Sequence, residues 1–416
     1  MLREAGDRAF ALNAYAKAEK YYADALALWP DSDAERPDLL FRRARSLHLA
    51  GDDRREQALE EARDALLDVG ALESAAEAEA FLAHGAWYRG ERDVVEPHFV
   101  RAHALVADRG ASSAKARVLA LSARFRMLAG DAEDAIRIAH EALRLVETLA
   151  LDELRAHALT TIGSSKARID LSTGRAELEE GLALALAASS PTAATTLNNL
   201  AVLAIWEGDF PRASEIYPEA KRIAERFGDR DGLRFMRGNE IFAWYAIGRW
   251  DEAAEAADEF VAECASSPHY AEGIVREART SIRHARGDIT GAEEDREFVL
   301  EQARRIKDPQ RLLPSIASAV VHRVLLEKES DARALAEEAL ALVRANVQLA
   351  AAANHLALVA GSVGIRDALR EIVELAPEGP WKDLTLAATD GDLGRAADLY
   401  AGFGVPTFEA TAAHRR

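Results

Sequence analysis

Leu197–Tyr217 reads LNNLAVLAIWEGDFPRASEIY. An apolar run with helical spacing ends at Gly208, and an acidic residue, Asp209, opens a second helical run at once. A Gly between two abutting helices suits a backbone turn that needs positive φ, and an Asp just after it suits a helix N-terminus by capping and by the macrodipole. Ala201 stands seven residues before the Gly and Ala213 five after it, so small side chains lie where two antiparallel helices would cross. The same phrase recurs outward in both directions. It reads LAGDD at Gly51, YRGER at Gly90, LAGDA at Gly130, STGRA at Gly174, AIGRW at Gly248, ARGDI at Gly287 and TDGDL at Gly391. From Gly51 to Gly287 it returns about every 40 residues, the signature of a repeat array. The alanine columns recur as well, with Ala44, Ala83, Ala123 and Ala167 before the turn and Ala135, Ala253, Ala292 and Ala396 after it.

Those columns and turns resemble tetratricopeptide repeats, whose two small signature residues lie at these same separations from the turn. The resemblance covers roughly residues 1–400 and implies an all-α, right-handed superhelical solenoid of about ten to eleven antiparallel helix pairs. The pattern predicts pairs at about 1–29, 35–69, 72–107, 112–149, 152–189, 192–227, 231–265, 269–306, 309–344, 347–375 and 381–416. Two departures stand out: the alanine after Gly51 arrives two residues late, and the unit around Lys328 has lost its Gly. Pro97, Pro218 and Pro314 fall inside helical patterns, where kinks or shifted starts are expected. APEGP, Ala376–Pro380, is the expected joint between a repeat domain, 1–375, and a terminal helical cap, 376–416. The wording of several units, among them AGDRAFALNAYAKAEKYYADALALWP, also resembles the helical arms of large bacterial signalling proteins that carry a nucleotide cyclase or a STAND-type ATPase module. On that resemblance the chain is a sensory or scaffolding arm, which begins inside a repeat and ends on a first helix without its second.

Of 416 residues, 29% are charged and only 6% aromatic, a balance of helix formers over strand formers. A net charge of −18 argues against general binding to nucleic acid or to an anionic membrane. The start, MLREAGDRAF, lacks the apolar core of a secretory signal and no apolar run reaches membrane-spanning length, so a cytoplasmic location is expected. Motifs for phosphate loops, zinc proteases, serine hydrolases and dinucleotide binding are absent, and neither enzymatic activity nor a cofactor is expected. His98 and His103 are the nearest histidine pair and point apart on a helix, and DGDLG at Asp390 lacks the later ligands of a calcium loop, so no metal site is expected. The lone Cys264 follows Asp251, Glu255, Glu259 and Glu263, a carboxylate stripe that reads as a solvated face and disfavours a thiolate.

Charge divides between the helices of a pair. In the units at Gly51, Gly130, Gly287 and Lys328, the first helices carry 13 basic residues to 1 acidic and the second helices 10 to 22. In tetratricopeptide proteins first helices line the concave groove, so the resemblance implies a comparatively basic groove within an acidic molecule. Its groove-facing column, six residues before the Gly, gives Arg45, His84, Arg124 and Arg168, and further on Phe242, with Asn198 and Tyr245 close by. These seven are the expected partner-binding residues, basic at first and apolar toward the middle. The expected function is a non-catalytic scaffold that holds a protein or peptide segment, an acidic one by this complementarity. Two plainer explanations accompany it: arginines paired with neighbouring acids, and a general excess of Arg over Lys, 44 to 8. Other functional readings are the arm of a cyclase or ATPase regulator, and a small-molecule sensor with a pocket near Trp206, Trp244 and Trp250, where core packing is the competing use. Arg276, Arg279 and Arg283 fall in core register, which implies a rotated helix there.

Overall fold

The computed structural model describes Met1–His414, and among these residues are 23 α-helices and one 3-10 segment. The first nine pairs are α1 (Leu2–Ala11) with α2 (Tyr15–Leu28), α3 (Arg36–Leu49) with α4 (Arg55–Asp68), α5 (Leu72–Tyr88) with α6 (Arg92–Val106), α7 (Ser113–Leu128) with α8 (Ala132–Leu149), α9 (Asp152–Ile169) with α10 (Arg175–Ala187), α11 (Thr192–Trp206) with α12 (Phe210–Phe227), α13 (Arg230–Ala246) with α14 (Trp250–Cys264), α15 (Glu272–Ala285) with α16 (Ile289–Ile306), and α17 (Pro309–Leu325) with α18 (Glu329–Ala345). The chain is therefore an all-α repeat array of antiparallel helix pairs, in the register that the turns predict.

The turns work as their sequence suggests. All eight repeat glycines have positive φ, from 62° at Gly51 to 88° at Gly130, Gly174 and Gly248. Asp131, Asp209, Asp288 and Asp392 each accept a backbone N–H three residues on, which satisfies a donor that the new helix leaves open. Where the unit near Lys328 lacks its Gly, Glu327 takes the left-handed conformation at φ 58°. The geometry of the repeat persists there against the preference of the side chain. Pro97, Pro218 and Pro314 lie within α6, α12 and α17 without ending them.

The pattern fails at 347–375. A 3-10 segment, Val347–Ala353, runs into the single turn α19 (Asn354–Ala357), and only α20 (Arg366–Glu374) is a regular helix. This stretch has no repeat Gly-Asp phrase to register it, and it is fixed by tertiary contacts instead. Tyr400 donates to Asn354 Oδ1 at 2.9 Å, and Leu356 is fully buried. Three short helices follow: α21 (Pro380–Thr389), α22 (Leu393–Gly402) and α23 (Pro406–His414).

By contact the chain forms two compact units. The first comprises Met1–Gly163, Ala176–Leu197 and Pro218–Met236; the second comprises Ser164–Arg175, Asn198–Tyr217 and the chain from Arg237 onward. In the first unit, α3 packs on α5 and α5 on α7, so first helices form a continuous inner layer. α5 accordingly buries 13 of its 17 residues, whereas α4 buries a stripe of 4 in 14. The unit closes on itself through Arg55, which is ion-paired with Asp231, and through the rings of Trp87 and Phe235, 5.8 Å apart.

In the second unit the short C-terminal helices return to the repeat turns. Trp381 Nε1 donates to the Ile205 carbonyl at 2.9 Å, Thr407 Oγ1 donates to the Tyr245 carbonyl at 2.7 Å, and the Phe403 ring sits against Gly208. Arg276, Arg279 and Arg283 are accommodated here without rotating α15, because Val275 and Ala278 remain fully buried. The second helix of the pair supplies the reason: Asp295, 1% exposed at its side chain, receives Arg276 at 2.6 Å, Arg279 at 2.6 Å and Arg283 at 3.0 Å. The acidic stripe on α14 is solvated, with Asp251, Glu255, Glu259 and Glu263 all exposed and Cys264 buried beside it.

Gly208→Ala forces both an unfavourable φ and a collision with Phe403, and should cost about 2–3 kcal/mol in urea unfolding, while Glu327→Gly should gain about 1 kcal/mol. Asp295→Asn leaves three arginines without their shared counter-charge and should destabilise by about 3 kcal/mol in the same measurement.

Candidate site on the first helices

Of the seven residues expected to bind a partner, Arg45, His84 and Arg124 belong to the first unit and Arg168, Asn198, Phe242 and Tyr245 to the second. Within the second unit they are engaged by the chain itself. Arg168 lies over the Trp206 ring at 5.0 Å and donates to Gln310 at 2.5 Å, and Asn198 accepts from Asn239 at 3.0 Å. Phe408 of α23 packs 6.4 Å from Phe242 and 5.8 Å from Tyr245, covering the apolar face that the sequence leaves open. Trp250 Nε1 donates to Thr407 Oγ1 at 2.9 Å, so this tryptophan closes the C-terminal contact.

The first unit is different. Arg45 projects from α3 and stacks over the Phe10 ring at 4.7 Å, and it forms no ion pair among the described residues. Its Nε is buried and meets no hydrogen-bond partner in the protein. Burial, and then the nearby charge of Arg117, push its pKa down to about 10, with Glu77 and Glu153 opposing. Arg117 lies on α7, one heptad before Arg124 and on the same face. Its Nε is 3.2 Å from Glu77, close enough to pair but not aligned for a hydrogen bond. Arg124 shares a hydrogen bond with the Tyr88 hydroxyl and likewise has no ion-paired carboxylate among the described residues.

Around Arg124 stand histidines held neutral. His48 and His84 are bridged ring to ring at 3.0 Å, and burial keeps both far below the ordinary imidazole value. His157 of α9 is pushed down to about 3 by burial, then by Arg124 and Arg117, and its Nδ1 has no partner in the protein. Asp229, which caps α13 by accepting from the Gly232 N–H at 2.9 Å, is raised to about 6 by burial and further by Asp231. These side chains are deeply set, yet Arg45, His84, Arg124, His157 and Asp229 each retain some accessible surface. Half-buried together, these groups mark a polar face of the first unit, called the cleft below.

The cleft is not uniformly basic. The four units that display the charge split omit α5, which brings Glu77 and Glu79 inward. Glu79 is taken up by His98 at 2.6 Å and Arg101 at 3.0 Å, so it faces α6, whereas Glu77 faces Arg117. Arg117, Glu77 and His157 were not in the expected set. The first two were readable one heptad before the groove column, but Asp229 and Tyr15 arrive through closure of the unit, which no repeat position encodes. Among the described residues no three His, Cys, Asp or Glu side chains group to hold a metal ion, and no helix is long and apolar enough to cross a membrane.

No protein-family model and no curated protein matches the sequence. Solved structures do match. A Rap protein complexed with competence and sporulation factor aligns over 92% of this chain and 100% of its own, with TM-score 0.58 and 12% identity. A signal transduction ATPase with numerous domains (STAND) that has a tetratricopeptide repeat sensor, from Pyrococcus horikoshii, aligns over 89% of this chain and 55% of its own, with TM-score 0.51 and 14% identity. At such identities the likeness is one of fold.

The raised Asp229 value carries a pH prediction. A carboxyl whose folded value lies above its unfolded one stabilises the fold below pH 4 and ceases to as pH rises through 6. Asp229→Asn keeps a cap acceptor and removes that titration. Relative to wild type, the variant should therefore gain about 1–2 kcal/mol between pH 4 and pH 7, measured by urea unfolding at each pH.

Proposed function

We propose that this chain is a non-catalytic interaction module that captures a partner segment on its first helices. The observation that carries this reading is the pair Arg45 and Arg124, half-buried cations on first helices of the first unit with no carboxylate ion-paired to either among the described residues. A half-buried cation without a direct ion pair is costly, and a protein that keeps two on one face gains by binding something that completes them. The fold supports the reading by likeness, since the Rap structure has competence and sporulation factor bound and the STAND protein uses its repeats as a sensor. The surface of the second unit that sequence marks as apolar is occupied by α23, which supports a docking place on the first unit.

A second reading keeps the same cleft and adds a setting: the chain is the sensory arm of a larger ATPase or cyclase regulator. The alignment with the STAND protein favours it, because this chain spans only 55% of that one. Binding at the cleft would then shift the equilibrium of a linked module by differential affinity for its two states.

The test is partner retention by the intact chain, compared between wild type, Arg124→Glu in the cleft and Arg137→Glu on the outer helix α8. Retention should fall about tenfold for the cleft variant and stay within twofold for the outer one, at equal melting temperature. Equal retention by all three would remove the cleft as the binding place.

A further inference from the structure

The first unit is fastened at two places where the joined residues lie 176 apart in sequence. Asn13 Nδ2 donates to the Ser189 carbonyl at 3.3 Å, tying the turn after α1 to the turn after α10. Arg55 of α4 is ion-paired with Asp231 in the first turn of α13. Together the two contacts mark a seam along which the chain returns upon itself. The start of α13 forms one side of it and lies on the inner layer. Phe235 packs against Trp87, and a Cβ on Gly51 would stand 3.0 Å from that of Arg230 and 3.3 Å from the Asp231 nitrogen. Beneath are Tyr88, which feels the charges of Asp229 and Asp231, and Arg124, whose charge acts on Asp229. Residues 228–236 therefore cross the face that the interaction-module reading needs.

The chemistry of this closure differs from that of the second unit. There the chain returns at the same 176-residue separation, Trp381 to Ile205, on neutral hydrogen bonds. Phe403, Tyr400 and Phe408, all 8% exposed or less, surround that contact with apolar surface. The first unit instead rests on one ion pair, with side chains 8% and 13% exposed, and on one hydrogen bond in solvent. A charge pair taken out of water fixes geometry while adding little net stability, because desolvation offsets most of the attraction. Closure also shuts in groups that need water. His48 Nδ1, His84 Nε2 and His157 Nδ1 are sealed from solvent without a partner in the protein, and each imidazole lies in the field of Arg55 or Arg124. An open form hydrates them, which narrows the gap between the two states.

We infer that the first unit opens along this seam: residues 228–236 are a strap held by Arg55 and Asp231, and its release uncovers the face at Tyr88 and Arg124 to a partner. This deepens the interaction-module reading, on which it rests, by making access to the face conditional. Opening requires no helix to unfold. It exchanges the Arg55–Asp231 pair for two hydrated charges and gives water to the imidazoles, at the cost of the Trp87–Phe235 contact and the Asn13–Ser189 bond.

Nitroxide labels at Asp53→Cys and Glu225→Cys, exposed positions on the two sides of the seam, report its width in the full chain once the buried Cys264 is replaced by Ala. Pulsed dipolar spectroscopy should give one short separation in that background. Arg55→Gln should add a population longer by about 5 Å, the rise of one helical turn, whereas Arg55→Lys, which keeps the charge, should stay short. Hydrogen exchange of the unaltered chain gives a second measurement that needs no variant to fold. After correction for intrinsic rates, amides 233–236 at the start of α13 should exchange about tenfold faster than amides 275–278, at the same positions of α15. An unchanged separation in Arg55→Gln, or equal exchange at the two helix starts, overturns the strap. The face and the strap fail separately. Retention unaffected by Arg124→Glu removes the face and leaves the seam, while a seam that stays shut removes the strap and leaves the face.

Discussion

Two antiparallel helices joined by a turn of three to five residues can lie side by side only if the residues at their crossing carry almost no bulk. Alanine holds that point through most of the chain. Ala44, Ala83, Ala123 and Ala201 before the turn, and Ala135, Ala213, Ala253, Ala292 and Ala396 after it, are fully buried. A larger side chain at any of them would push the pair apart and expose the aliphatic and aromatic groups that surround it, such as Tyr217 against Ala213 or Ile138 near Ala123. The left-handed glycines and the aspartate caps follow from the same demand, because the tighter the pair, the more abruptly the chain must reverse.

Sequence legibility tracks this constraint. Wherever the alanine columns and the Gly-Asp phrase are intact, helix boundaries in the structure fall within a few residues of those the pattern implies. At Glu327 the glycine is missing and the turn survives, since the neighbouring columns are enough to impose it. Between Val347 and Ala376 neither column nor phrase is present, and the chain takes short helices set by contacts such as Tyr400 with Asn354, which no local pattern announces. Arg276, Arg279 and Arg283 look misplaced for a similar reason. Their partner, Asp295, lies on the next helix and becomes visible only once the pair is built.

The cleft was legible in part. A single column of the repeat located Arg45, His84 and Arg124 on the inner layer, because every first helix in that layer presents the same register to its neighbours. The column could not reveal that Phe242 and Tyr245 are covered, for the covering residues, Thr407 and Phe408, come from a segment more than 160 residues away. Nor could it reveal Asp229 beside Arg124, which depends on α13 returning to the turn at Gly51, where Arg55 meets Asp231. Periodicity fixes neighbours in sequence order, whereas closure of a unit brings together residues that the period treats as unrelated.

The ring-to-ring bridge between His48 and His84 has one more implication. Each neutral imidazole carries a single N–H, so the two rings cannot choose their tautomers independently. If His48 donates across the bridge, its outer nitrogen accepts and that of His84 donates; if His84 donates, both outer nitrogens exchange roles together. The pair is a two-position relay spanning successive repeats, in which a polar group arriving at one end dictates the hydrogen-bonding character displayed at the other, with no movement of the backbone.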